Sequence, residues 1–383
     1  MGNNYGEVLI YDGVYDIKKA VIIRRKNMDA VVRKIIELKE GVYVACQTGS
    51  FILDKKSLQI VKRFEARDNL SSKSAFLLND SILLLGTHAT AVKYNIAANK
   101  GIDTIIKRIT ALGVNQAKEI YIGSNDGLYR WDKDSLFYFG KKYKALSYRV
   151  NTIFTTADDL LWVGLGSDSL LVLKNNLLVK SIALGDIIPG SVCKSLYSSK
   201  PGTIWLGTNK GLNKIEYQLS NDKFSFYNTS FGLADGLIGE QVNDITIHND
   251  TVYAATTGGI SYLPANLNLP VADITTFITR VLIQGKDTVV LKEYTLPYDK
   301  NNISIYFSGA DLTGYYPLFE YRINDGNWLK TDKNNIELSL APGRHNIQIR
   351  GLKRDGTASS QSETISVLLK RPFGKTVYSG PSW

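Results

Sequence analysis

Cysteine and histidine are nearly missing from this chain of 383 residues, which holds two of the first and three of the second. Two cysteines, Cys46 and Cys193, exclude a disulfide scaffold and a four-cysteine zinc site, and both read as small buried hydrophobes. His88, His248 and His345 stand far apart with no i, i+2 or i, i+4 pair, so no histidine-based metal or nucleophile site is expected. Long apolar runs are absent too. The longest, such as Ile82-Leu83-Leu84-Leu85, stop well short of the ~18–20 residues that a membrane-spanning helix needs. The Met1-Gly2-Asn3-Asn4 start shows no basic segment followed by an apolar one, so no signal peptide is visible. A phosphate-cradling glycine loop and a Gly-x-Ser-x-Gly elbow are both lacking.

What is present is an ordinary globular composition, 44% hydrophobic and 21% charged, on a chain long enough for two or three domains. Lys and Arg number 46 against 36 Asp and Glu, a formal net charge of +10. The basic runs are short: Lys18-Lys19, Arg24-Arg25-Lys26 and Lys141-Lys142. Such a balance describes a solubilising basic surface or one that attracts an anionic ligand, and nucleic acid is not an expected partner.

A short string then recurs along the chain, in which an apolar-aromatic-apolar run ends on a small residue. It reads Val42-Tyr43-Val44-Ala45, Leu83-Leu84-Leu85-Gly86, Ile120-Tyr121-Ile122-Gly123, Leu161-Trp162-Val163-Gly164, Ile204-Trp205-Leu206-Gly207 and Val252-Tyr253-Ala254-Ala255. The small residue falls at 45, 86, 123, 164, 207 and 255, a period of about 42 residues. Each period holds strand-like runs between turn residues; from Ser74 to Thr110 they are Ala75–Leu78, Ile82–Leu85, Ala91–Tyr94 and Thr104–Ile109. Four short antiparallel strands per period specify a β-propeller blade, with one aromatic per blade filling the gap to its neighbour. The small residue lets adjacent sheets approach at the narrow inner end. Ahead of these six repeats, Gly6–Gly13 lines up with the string after Gly127, and Tyr15–Arg25 supplies an outer strand. The expectation is a seven-bladed ring whose first blade lacks two strands, as in an internal piece of a longer protein.

The period stops at Leu263-Pro264. Beyond it, runs such as Phe277–Ile283, Ile303–Phe307, Leu318–Ile323, Ile336–Leu340 and His345–Leu352 alternate in strand fashion. Asn324-Asp325-Gly326, Pro342-Gly343 and Asp355-Gly356 mark turns between them. An immunoglobulin-like β-sandwich is the expected second domain. The fold class is therefore all-β, with the propeller over residues 1–266 and the sandwich over 267–383.

The blade string, as in Thr203-Ile204-Trp205-Leu206-Gly207-Thr208-Asn209-Lys210-Gly211-Leu212, resembles the two-component regulator propeller repeat. Asp235-Gly236-Leu237 followed by Val242-Asn243-Asp244-Ile245 is similar to that family's connection between blades, and Asp68-Asn69-Leu70 is a weaker copy. The C-terminal stretch resembles the triple-tyrosine (Y_Y_Y) domain at Phe319-Glu320-Tyr321-Arg322-Ile323, Trp328, Leu340 with Pro342-Gly343, Ile347, Ile349-Arg350, Gly356 and Pro372-Phe373. Four positions depart from the pattern: Leu84 for the aromatic, Thr90 for glycine, His345 for tyrosine, and Gly374 after Pro372-Phe373. A membrane helix normally begins just beyond that point, and Val377–Trp383 cannot form one. The resemblance implies the periplasmic, ligand-sensing exterior of a bacterial histidine kinase or hybrid two-component system. It also implies an oligosaccharide ligand, neutral or acidic, and a homodimer formed through the sandwich. Membrane attachment would run only through a segment outside this chain, and the kinase would lie there too.

Enzymatic activity, a cofactor and a bound metal are not expected. Only Asp126 and Asp168 occupy comparable turn positions, and acidic residues there usually shape the turn rather than form a glycosidase pair. Tyr43, Tyr121, Trp162, Trp205 and Tyr253 read as inter-blade core, and Tyr315-Tyr316 and Trp328 as sandwich core. Ligand recognition is expected on the loops of one propeller face, where second-to-third-strand turns and blade-to-blade connections meet. The candidate binding residues there are Arg67, Lys73, His88, Asn125, Asp126, Arg149, Asp168, Asn209, Lys210, Asp235 and Gln241. Arg67, Lys73, Arg149 and Lys210 add attraction for sulfate or uronate groups. The alternative is a non-enzymatic propeller scaffold for protein–protein interaction, which would instead expose an apolar patch on that face.

Overall fold

A computed structural model describes residues 7–12, 16–22, 31–39, 41–46, 49–57, 59–65, 74–133, 135–185, 188–221, 223–268, 271–310, 318–331, 333–353 and 356–371. The chain divides into two compact units, Met1–Leu267 and Asn268–Trp383.

The first unit is the propeller. Blade 1 is a hairpin of Glu7–Asp12 and Asp16–Ile22. Blade 2 holds Val32–Glu37, Gly41–Cys46, Gly49–Asp54 and Ile60–Glu65, and blade 3 Ser74–Asn79, Ile82–Gly86, Thr90–Asn95 and Lys100–Ile106. Blade 4 is built from Ala111–Val114, Ile120–Ser124, Gly127–Asp132 and Ser135–Tyr138. Blade 5 follows with Val150–Thr155, Leu161–Leu165, Ser169–Lys174 and Leu177–Ala183. Blade 6 has Cys193–Tyr197, Thr203–Thr208, Gly211–Ser220 and Lys223–Phe231, and blade 7 only Val242–His248, Thr251–Thr256 and Gly259–Pro264. All these pairings are antiparallel between sequence neighbours, and from blade 2 to blade 7 the innermost strands of successive blades touch. Lys34 and Asp244, 3.5 Å apart, join the innermost strands of blades 2 and 7.

The core lies between blades rather than within one. Tyr43, Leu83 and Leu85 pack with Phe64, Ala75 and Tyr94 between blades 2 and 3. Leu84 packs with Ile109, Leu112 and Ile122 between blades 3 and 4, and Tyr121 with Val150, Leu161 and Val163 between blades 4 and 5. Trp162 meets Ile204, Ile215 and Tyr217 between blades 5 and 6, and Val8 of the hairpin packs on Val44, Phe51 and Leu53 of blade 2. The repeated small residue is explained by what occupies its open side. A Cβ at Gly86, Gly123, Gly164 or Gly207 would fall 2.5–2.8 Å from Ile109, Val150, Cys193 or Val242, in that order. Each of these plugs lies where the next blade's innermost strand begins, so the aromatic seals the interface and the glycine admits the plug. Polar stitches complete the seam at the opposite end of the blades: Tyr121 donates to Asn176 Oδ1 at 2.7 Å and Tyr217 to Asp158 Oδ1 at 2.8 Å. Tight turns come from residues that tolerate positive φ, such as Asn175-Asn176 and Asn249-Asp250, which connect strands in two-residue hairpins.

Three sequence expectations change. The outer strand of blade 3 runs from Lys100 to Ile106, not Thr104 to Ile109, because Asn95 Oδ1 accepts from Ala98 N and Asn99 takes φ 53, closing the turn early. Ile109 is thereby released to be the plug of blade 4. Tyr253 is only half-buried, unlike Tyr43, Tyr121, Trp162 and Trp205, because it belongs to a three-stranded blade followed in the ring by a two-stranded hairpin. Trp328 lies outside the sandwich core, against the guanidiniums of Arg322 and Arg350.

The second unit is a sandwich of a four-stranded and a five-stranded sheet. The first holds Thr275–Ile283, Lys286–Thr288, Asn302–Ala310 and Asn335–Ser339; the second holds Glu293–Leu296, Leu318–Ile323, Leu329–Thr331, Gly343–Leu352 and Glu363–Leu369. Val281, Ile305 and Phe307 from one sheet meet Phe319, Ile347, Ile349 and Val367 from the other. Phe307 and Phe319 form an edge-to-face pair 4.9 Å apart. Because Phe319, Tyr321 and Ile323 point inward, Glu320 and Arg322 point outward. Trp328 joins that outer face, 3.8 Å from the Arg350 guanidinium and 4.7 Å from that of Arg322, while Arg350 pairs with Glu320 at 2.6 Å. Tyr315-Tyr316 falls outside the described residues.

Two predictions follow from the packing. Gly164→Ala should cost about 1–3 kcal/mol in a urea melt because Cys193 fills the space, whereas Gly232→Ala, with nothing within 4 Å, should be nearly neutral. Burial pushes the thiols of Cys46 and Cys193 up to about 12, so neither should react with a disulfide reagent at pH 8 until the chain is unfolded.

Candidate functional site

In blades 4 to 7 the loop face is assembled by hydrogen bonds between the second-to-third-strand turn and an adjoining connection. Gly166 N donates to Arg149 O at 2.8 Å, Thr257 N to Gln241 O at 3.0 Å, and Ser124 Oγ to Arg108 O at 2.7 Å. In blade 6, Asn209 Oδ1 accepts from Ser191 N at 2.9 Å and Val192 N at 3.1 Å, fixing the connection from blade 5. The long connection to blade 7 is shaped by Asp235, whose carboxylate accepts from Gly232 N at 2.8 Å, and by Gly236 at φ 94. Those two contacts explain why an Asp-Gly-Leu string serves there: the carboxylate caps the turn, glycine takes the left-handed step, and Leu237 is buried.

The structure therefore sorts the candidates. Asn209 and Asp235 hold loop backbone. Lys210 pairs with Glu240 at 2.8 Å, and Gln241 Nε2 donates to Asn243 Oδ1 at 2.7 Å. Asp126 pairs with Lys107 at 2.6 Å and accepts from the Tyr129 hydroxyl at 2.9 Å. Arg149 is exposed, with its Nε donating to Asn151 Oδ1 at 3.0 Å. His88, Asn125 and Asp168 sit exposed in the turns of blades 3, 4 and 5. Arg67 and Lys73 lie outside the described residues, as does the Gln47-Thr48 turn. Among the described residues no group of three or more His, Cys, Asp or Glu is placed to hold a metal ion.

One feature of this face carries no obvious sequence signature. The innermost strands of blades 2, 5, 6 and 7 each begin with a β-bulge, between Val32 and Lys34, Val150 and Thr152, Cys193 and Ser195, and Val242 and Asp244. A bulge adds one residue and re-aims a side chain. The extra residues are Arg33, Asn151, Lys194 and Asn243, none of them buried. In blade 4 the equivalent residue, Thr110, donates to Val150 O of blade 5 at 2.5 Å, and Asn151 donates to Cys193 O of blade 6 at 3.2 Å. These bonds tie blades 4, 5 and 6 together at the rim of the channel.

Partial burial opposes the charge on Asp126, but donors from Lys107, Ser124 and Tyr129 outweigh it and hold its carboxyl below the usual range. Burial likewise works against the Lys107 ammonium, and the hydrogen bonds to Asp126 and Tyr129 raise it nonetheless. The pair's contribution is thus present between the two ordinary values, ~3.9 and ~10.4. It is lost as pH falls through the lowered Asp126 value or rises through the raised Lys107 value. Asp126→Asn should cost about 1 kcal/mol or less at pH 7, since the pair is largely solvent-screened, and the difference from the unaltered chain should vanish below the Asp126 value in paired denaturant melts.

No protein-family model matches the sequence. A histidine kinase from Formosa agariphila, named histidine kinase P4, is 22% identical over 330 residues, covering 76% of this chain and 24% of that protein. The extracellular domain of a hybrid two-component system from B. thetaiotaomicron superimposes with a TM-score of 0.63 at 15% identity, covering 97% of this chain and 53% of that one. A second such domain from the same organism gives a TM-score of 0.54 at 16% identity, covering 97% of this chain and 56% of that one. The chain has the fold of a two-component sensor's extracellular region. It spans about half the length of those sensor domains and about a quarter of the kinase. No helix among the described residues is long and apolar enough to cross a membrane.

Proposed function

We propose that this chain is the extracytoplasmic, ligand-sensing region of a two-component sensor of the histidine kinase type. It detects an oligosaccharide released from a polysaccharide on the propeller's loop face and relays the event through a sandwich of the triple-tyrosine kind. The observation that carries this reading is the fold shared, over 97% of the chain, with an extracellular domain of a hybrid two-component system. The loop face supports it chemically: rigid blades present exposed hydrogen-bonding groups such as Asn125, Arg149 and Asp168. The region acts without catalysis and without a cofactor, and it works as a homodimer through the sandwich. Exposed consecutive apolar residues on that unit, Val289, Val290 and Leu291, suit such a contact.

A second reading has its own observation. Leu233 and Ile238, on the connection to blade 7, are 59% and 54% exposed, as an apolar patch for a protein partner would be. A thermal-shift screen against neutral and acidic oligosaccharides at fixed salt separates the two. A saccharide at a hundredfold excess over its Kd should stabilise the propeller by about 2.7 kcal/mol. A flat response across every saccharide class would sink the sensor reading in favour of the scaffold.

A further inference from the structure

Charges on the loop face are not evenly cancelled. Three of its carboxylates are held in ion pairs: Asp244 with Lys34, Asp126 with Lys107, and Glu240 with Lys210. Asp235 is engaged in capping its own turn. Asp168, exposed on the turn of blade 5, makes no ion pair among the described residues. The same loops carry two exposed guanidiniums that make no ion pair among the described residues, Arg108 and Arg149. Each stands immediately before a plug residue, Ile109 or Val150. In blade 6 that position is Val192, and the cation instead occupies the bulge one residue beyond the plug, as Lys194.

Two hydrogen bonds between blades link the backbone segments that carry these three cations. Thr110 reaches Val150 O and Asn151 reaches Cys193 O; Arg149 directly precedes Val150, Lys194 directly follows Cys193 and Arg108 lies two residues before Thr110, so the three cations come from the starts of three consecutive blades. Arg149 is further held by its bond to Asn151, and Tyr148 beside it is 50% exposed, offering a ring face to a sugar. Guanidinium groups fixed on rigid elements suit planar, two-pronged contact with carboxylate or sulfate. A basic concave rim also concentrates the local field.

We propose that the rim of the central channel at blades 4 to 6 is an anion subsite, in which Arg108, Arg149 and Lys194 grip a carboxylate or sulfate group of an acidic oligosaccharide. The proposal rests on the reading that the loop face binds a saccharide. Lys210, although basic and on the same face, contributes little, because Glu240 already neutralises it.

The test uses the full 383-residue chain and calorimetric titration with three probes of matched length: oligogalacturonate, a sulfated dextran oligosaccharide and unmodified dextran. At least one acidic probe should bind, and Arg108→Ala, Arg149→Ala and Lys194→Ala should each weaken it about tenfold. Arg149→Lys, which keeps the charge but loses the fork, should fall between, and the slope of log Kd on log salt should flatten in every charge-removing variant. Lys223→Ala, at an exposed site on the outer strand of blade 6, is the control and should change nothing. Melting temperatures without ligand should change little, since Arg108, Arg149 and Lys223 are exposed and Lys194 is only half-buried. Which of the two acidic probes responds assigns carboxylate or sulfate as the group recognised. Failure of both acidic probes to outbind dextran overturns the subsite, as does an equal loss in the Lys223→Ala control, which would mark mere attraction to a basic chain. Acidic-probe binding that is no tighter than dextran's and survives all three alanine variants would leave the saccharide face standing and remove only the anion subsite.

Discussion

The propeller depends on one steric fit repeated around the channel. Near the end of the second strand in blades 3 to 6 the side chain is reduced to hydrogen, and the plug residue of the next blade moves into the space. The fit sets the distance between blades at their inner ends, where the ring is narrowest. Farther out, the space widens and the aromatic of the same strand fills it, so glycine and aromatic are two answers to one wedge-shaped gap. Cys193 shows how little the plug's chemistry matters. A thiol stands where isoleucine and valine stand elsewhere, buried and held in its protonated form.

That fit is why so much of the fold was legible. It places its demand on two neighbouring positions of one strand, and a demand repeated every blade becomes a period. Where the fold was misread, the deciding contact lay outside any local string. The outer strand of blade 3 was set by an asparagine closing a turn, and Ile109 was counted as its tail although it plugs the following blade. Trp328 looked like core by residue type alone; its place among guanidiniums follows from strands Leu318–Ile323 and Gly343–Leu352 pairing so that Arg322 and Arg350 share a face. Tyr253 kept the string but not the burial, because a repeat signature describes one blade and burial needs its neighbour as well.

The loop face was legible as a place and much less as a set of residues. Turns rich in Asn, Asp and Lys were visible, but not whether each side chain served the turn or faced outward. Asn209 holds two amides seventeen and eighteen positions away, and Asp126 meets a lysine nineteen positions away. No turn pattern announces such partners. The bulges were hidden for a different reason: Val150-Asn151-Thr152 and Cys193-Lys194-Ser195 read as ordinary strand starts, and only the pairing register shows the extra residue.

The pairing of hole and plug also bears on how such rings change over generations. In blades 4, 5 and 6 each blade carries its plug at or just before the start of the first strand and its hole on the second, so it is male to the blade before it and female to the blade after it. A duplicated blade would bring both halves of the joint with it and dock on either neighbour without any compensating substitution. A ring built on this joint can therefore be lengthened or shortened by one whole repeat without breaking the match of plug to hole.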